Sequence, residues 1–220
     1  MKITKKWLDE RNACDAGRDW YVEQDITEPV AGIKNLITHD KLDWANWLIV
    51  RVMDYKQRVQ YAVFAAEQVL DIYEQKYLSD DRPRKAIEAA KVCIKNPSDK
   101  NKSAALTAAD VAANAADYEA DYEARAVARA AALAAANAAA DVAAYVARAA
   151  ADVVANAAAN AARATVYATR AAVYAAVRAG MKKKILNYGI RLLLAQSYRS
   201  SVRHGKLIGN GLANFCVDTF

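Results

Sequence analysis

The segment Ser103–Ala179 reads SAALTAADVAANAADYEADYEARAVARAAALAAANAAADVAAYVARAAADVVANAAANAARATVYATRAAVYAAVRA, 77 residues with no Gly, Pro or Cys and about half of them alanine. Alanine is the best intrinsic helix former and loses no side-chain entropy on folding. The segment therefore reads as helix almost throughout, burying only methyl groups where its alanines face a neighbour. As one rod it would run about 115 Å at 1.5 Å per residue, whereas a compact chain of 220 residues has a radius of gyration of about 17 Å. The expectation is two or three helices folded back on each other, with connections near Asn137 and near Asn160–Thr165, since Asn is accepted at helix ends and in left-handed turns.

A short element, Ala-Ala-Asp-Val-x-Ala-(Asn/Tyr), recurs at Ala108–Asn114, Ala139–Tyr145 and Ala150–Asn156. The last two copies are 11 residues apart and keep nearly the same helical face. Alanine faces let helices approach closely. Val142, Tyr145, Val146, Val153, Val166, Tyr167, Val173 and Tyr174 would fill the core that remains.

Upstream, Thr4 suits an N-cap for a helix through Trp7 and Leu8. The positions Trp7, Cys14, Gly17, Trp20 and Tyr21 are spaced to share one helical face, with Gly17 admitting a neighbouring backbone. Glu28–Thr38, holding Pro29 and Gly32, reads as a break with a short turn. A second helix starts near Leu42 and carries Trp44, Trp47, Leu48 and Val52. A third, from about Lys56 to Tyr77, aligns Val59, Val63, Ala66, Val69, Leu70 and Tyr73. Ser79-Asp80-Asp81-Arg82-Pro83 is a helix start, with acids at the positive end of the dipole and Pro in the first turn. Its helix runs to about Lys95, ahead of Asn96-Pro97, and Ser98–Lys102 reads as a polar link. Ile185–Ala195 suits a last helix with Leu186, Ile190 and Leu193 along one side, and Gln196–Phe220 reads as a loosely structured extension.

These boundaries give an all-α fold: a multi-helix bundle with closely packed alanine-rich helices. A helical N-terminal region (1–97) packs on an alanine-rich region (98–195), followed by a basic extension (196–220).

The net charge of +6 sits at one end. Residues from Met181 onward hold seven basic groups and one acid, Asp218, leaving residues 1–180 with 24 of each sign. No apolar run reaches the roughly 18 residues of a membrane span, and the start MKITKKWLDE does not resemble a secretory signal. Cys14, Cys93 and Cys216 are too few and scattered for a disulfide framework or a zinc site, so a cytoplasmic location is expected. His39 and His204 lie in unrelated contexts, and Gly205, Gly209 and Gly211 lack the spacing of a phosphate loop. Neither a catalytic group set, a metal site nor a cofactor is expected. Thr107, Thr165 and Thr169 do not keep the regular register of an ice-binding helix.

Four motifs appear in order: Ala13-Cys14-x-x-Gly17-x-x-Trp20, Trp44-x-x-Trp47-Leu48, Ala65-Ala66-Glu67-x-Val69-Leu70 and Asp80-Asp81-Arg82-Pro83-Arg84-x-Ala86-Ile87-Glu88-Ala89. In this order, ahead of an alanine-rich tract, they resemble the Imm5-like putative immunity proteins of bacteria and their phages, over about residues 3–194. The resemblance implies a small cytoplasmic protein that binds and neutralises a toxin, without a catalytic motif. Trp20, Tyr21, Asp81, Arg82 and Arg84 are then the candidate partner-binding residues, Trp, Tyr and Arg being the usual interface anchors. Two alternatives stand beside it. One is nucleic-acid binding through Lys182, Lys183, Lys184, Arg191, Arg199 and Arg203, interleaved with Tyr188 and Tyr198. The other is a helical structural or virion-associated role. The sequence leaves the oligomeric state open.

Overall fold

A computed structural model describes residues 1–118, 127, 130–132 and 170–203. Among these the regular structure is entirely α-helical. In chain order the helices are α1 (Lys5–Asp9), α2 (Asp15–Glu23), α3 (Pro29–Thr38), α4 (Leu42–Val52), α5 (Tyr55–Glu67), α6 (Leu70–Lys76), α7 (Arg82–Lys95), α8 (Asp99–Tyr118) and α9 (Arg170–Arg203). The expected breaks at Asn137 and Asn160–Thr165, and the large residues between Val142 and Tyr167, lie outside the described residues.

Local chemistry fixes the ends. Thr4 caps α1, its side chain accepting from the Trp7 N–H. α1 then stops at a left-handed residue, Asn12 (φ 54°), and the Ala13 N–H returns to Leu8 O at 3.1 Å. α3 ends the same way, with Asp40 at φ 54° and the Lys41 N–H on Leu36 O at 2.8 Å. This is the glycine-type C-terminal closure, here supplied by Asn and Asp. Asp54 and Gln57 form a reciprocal capping box at the head of α5.

Several expectations need correction. Trp7 and Trp20 do not share one helix, because Asn12 breaks the chain between α1 and α2. The nearest neighbours of a Cβ at Gly17 would be Cys14 Sγ at 3.0 Å and the Trp44 ring at 3.4 Å, side chains rather than a backbone. Residues 29–38 form a helix and not a break. Pro29 occupies its first turn, and the Glu28 carboxylate caps it by accepting from the Val30 and Ala31 N–H groups. Lys56–Tyr77 divides into α5 and α6 around Gln68–Val69; neither residue is a breaker, so packing makes the bend, and it keeps Val69, Leu70 and Tyr73 buried. Asp99–Lys102 belongs to α8, the polar stretch being a helix start. α9 runs on to Arg203, so Gln196–Arg203 is helical.

One cluster of buried side chains extends from Ile3 to Leu193. α7 packs on α8 and on α5, and α3 packs on α4. Ala86 and Ala90 on α7, with Ala105, Ala109 and Ala112 on α8, are buried at i, i+3 and i+4 spacings. This is the alanine packing expected from composition. α9 lies across α3, α4 and α5, burying Ile185, Leu186, Ile190 and Leu193 on one stripe. Tyr188 stacks on Phe64 at 4.0 Å, and Gln57 Nε2 donates to Leu192 O at 2.9 Å.

Candidate partner-binding site

The four tryptophans converge on one face. On α4 most side chains are buried, but Trp44, Trp47 and Arg51, with Lys41 just ahead, recur at i, i+3, i+6 and i+10 and stay partly exposed. α1 and α2 pack on each other and meet this stripe from the side. Trp7 meets Trp47 edge-on at 6.5 Å, and Trp20 lies 6.0 Å from Trp44 and 5.4 Å from the His39 ring. Three indoles carry a cation: Arg11 over Trp7 at 4.2 Å, Lys41 over Trp44 at 5.0 Å and Arg51 over Trp47 at 3.9 Å. Such contacts contribute about 0.5–1 kcal/mol each at exposed sites. Arg11 and Arg51 each also donate to the carbonyl of the tryptophan beneath.

Between the helices lies a cleft of about 290 Å³, bordered among others by Asn12, Cys14, Gly17, Asp43, Trp44 and Trp47. A Cβ at Gly17, on the cleft wall, would stand 3.0 Å from Cys14 Sγ and 3.4 Å from the Trp44 ring. Trp20 is half-buried on this face. Tyr21 is not a surface group: it is buried, with its hydroxyl over Gly32, where a Cβ would lie 1.9 Å away. Burial first, and then the nearby Glu28 carboxylate, pushes the Tyr21 phenol up to about 12.

The other expected residues occupy the corner between α6 and α7. Asp80 is its hub. Its carboxylate accepts from the Arg82 backbone N–H, from the Arg82 guanidinium at both oxygens and from the Tyr73 hydroxyl. The Arg82 hydrogen bonds hold the Asp80 carboxyl far below the usual carboxylate range, and Asp80 in turn raises the Arg82 guanidinium. Arg84 forks onto Glu74, and Lys85 pairs with Asp81 at 2.9 Å. Leu78 projects from the corner with 91% of its surface exposed. Arg82 thus ties the corner together, while Asp81, Arg84 and Leu78 face outward.

The cations of α9 divide as well. Lys182 is buried and pairs with Asp43, and Lys183 pairs with Asp40 at 3.1 Å. Lys184, Arg191 and Arg199 are exposed, Arg191 lying 5.7 Å over the Tyr188 ring. The side chain of Arg203 lies outside the described part. The set proposed for nucleic acid therefore gives two members to internal ion pairs. Sequence reading missed the stacked cations, although Trp7-x₃-Arg11 and Trp47-x₃-Arg51 both show the i, i+4 spacing that brings them together.

Among the described residues no group of three or more His, Cys, Asp and Glu is placed to hold a metal ion, and no helix is long and apolar enough to cross a membrane. The arrangement can recognise a surface through aromatic anchors and forked cations. Residues 50–139 match the family described as Imm-5 like putative immunity protein, the family that the motifs resemble. The matched segment includes the whole α6–α7 corner and ends beyond α8. No curated protein and no solved structure matches the chain significantly.

Proposed function

We propose that this chain is a non-enzymatic immunity protein, of bacterial or phage origin, that binds a toxin or effector in the cytoplasm and neutralises it by covering its working surface. The family match over residues 50–139 carries the reading. The geometry supports it: half-buried tryptophans and outward-facing arginines are the residue types that dominate binding energy at protein interfaces. Trp20 on one side, with Asp81 and Arg84 beside Leu78 on the other, are the proposed anchors. Arg82 and Tyr21 act by holding them in place.

The test is growth rescue. Full-length protein is co-expressed with the toxic products encoded beside its gene, and complex formation is measured by titration calorimetry. Rescue with a stoichiometric complex supports the reading. Rescue without a complex, or turnover of the toxin by catalytic amounts of the protein, would overturn it.

A further inference from the structure

Lys182 occupies a place that helical spacing reserves for an apolar residue. With Ile185, Leu186, Gly189, Ile190 and Leu193 it makes up the buried stripe of α9, at i, i+3, i+4, i+7, i+8 and i+11. Its side chain is 5% exposed, and its ammonium pairs with Asp43. A buried ion pair adds little net stability, and its best-attested use is to fix one register of packing. If packing alone were served, methionine would fill a similar volume without the desolvation cost. The next residue, Lys183, pairs with Asp40 at 3.1 Å. α9 therefore grips two acids three residues apart, where α3 passes into α4.

The same short segment carries part of the tryptophan face. Asp40, at φ 54°, is the left-handed residue that closes α3, and the Lys41 carbonyl accepts from the Ala45 N–H at 2.9 Å to start α4. The His39 ring lies 5.4 Å from that of Trp20, and Lys41 lies 5.0 Å over Trp44. Asp43 and Trp44 both border the cleft. Residues 39–44 thus link α9 to the cleft wall.

We propose that α9 is a clasp on the tryptophan cleft: Lys182 and Lys183 hold residues 39–44 in the geometry that sets Trp20 and Trp44. A change in the seating of α9 is then transmitted to the cleft wall, and a change at the wall is returned to α9 by linkage. Lys182 is a positioning residue in this arrangement and touches nothing that the cleft would bind. The inference goes beyond the immunity reading and holds whatever the face binds.

All four tryptophans of the chain lie on this face. Fluorine NMR of the full-length protein labelled with fluorotryptophan therefore reports on it, each resonance being assigned by replacing one tryptophan with phenylalanine. Lys182→Met should move the Trp20 and Trp44 resonances beyond their linewidths and leave that of Trp7 in place. Lys182→Arg, which keeps the charge, should move them less. Lys183→Met breaks an exposed pair, so the fold stands, and it should move Trp20 through Asp40 and His39. Leu193→Ala loosens the far end of the same stripe without touching the clasp, and should leave all four resonances in place. Spectra are taken well below the melting midpoint of each variant. Unmoved Trp20 and Trp44 resonances in Lys182→Met, or an unmoved Trp20 in Lys183→Met, would overturn the proposal. So would equal shifts in Lys182→Arg, or the same shifts in Leu193→Ala, which would mean that volume or general loosening moves the rings.

Discussion

Gly189 of α9 lies against Tyr61 of α5 so closely that a Cβ at Gly189 would stand 2.8 Å from the tyrosine ring. The same Cβ would be 2.6 Å from Ile49 Cδ1 and 3.0 Å from Met53 Cε. Tyr61 is itself fully buried and donates to Asn46 Oδ1 at 2.8 Å. α9 thus seats its backbone directly on the core formed by α4 and α5.

Alanine at two glycines of one helix should therefore act in opposite directions. At Gly180 nothing lies within 4 Å of the added methyl, and the gain in helix propensity of up to about 1 kcal/mol is realised in full. At Gly189 three side chains must shift, and overpacking of about 1–3 kcal/mol outweighs that gain. Urea denaturation checks both: Gly180→Ala raises the midpoint and Gly189→Ala lowers it.

Asp80 sets the acid response of the α6–α7 corner. Its pKa is lowered by the Arg82 hydrogen bonds and then by Tyr73, against a desolvation effect that raises it. Its contribution is therefore present above the ordinary carboxylate range and is lost as pH falls through the lowered value. Asp80→Asn removes that dependence and destabilises the chain by about 1–3 kcal/mol at neutral pH, because Arg82 and Tyr73 lose a charged acceptor. Denaturation midpoints of parent and variant, taken from neutral to strongly acid pH, should converge as the pH drops.

How much of this was legible follows the range of the interaction. Capping at Thr4, the Pro83 helix start and the stripe Leu186–Ile190–Leu193 depend on neighbours within a turn or two, and the sequence displays them. The bend at Val69 and the seat of Tyr21 over Gly32, between α2 and α3, depend on packing between helices, where local propensity has no voice. The candidate site divides the same way. Trp20 and Arg84 were visible as anchor types, but Tyr21 became a buried wedge, and Lys182 found Asp43 from 139 residues away. Composition at 182–184 shows three equivalent lysines; packing alone distinguishes the buried one.

That buried lysine predicts an asymmetry. Lys182 has 5% of its side chain exposed, whereas Asp43 has 57%. Replacing Asp43 by Ala takes the carboxylate from a buried ammonium and costs about 1–3 kcal/mol, below the full cost of breaking a buried pair because Asp43 is solvated. Lys182→Met keeps the volume and removes the charge with its desolvation cost, so it destabilises less. Thermal melts of the two single variants test the order; a larger loss for Lys182→Met would refute it.

The thiols give a test of how α7 sits in the core. Cys14 is exposed on the rim of the tryptophan cleft, and Cys93 is buried on α7. Burial also raises the Cys93 thiol above its ordinary range, which lowers the thiolate fraction on which reaction depends. In a Cys216→Ser background, Ellman's reagent should modify Cys14 rapidly in the native protein and Cys93 only as denaturant opens the bundle. The Cys93 rate should follow the unfolding equilibrium, since α7 carries Ala86, Ala90 and Cys93 in the same core cluster as α5 and α8. Fast native modification of Cys93 would mean that α7 leaves the core without global unfolding. The α6–α7 corner, with Arg84 and Leu78, would then be a separately opening unit rather than a fixed docking edge.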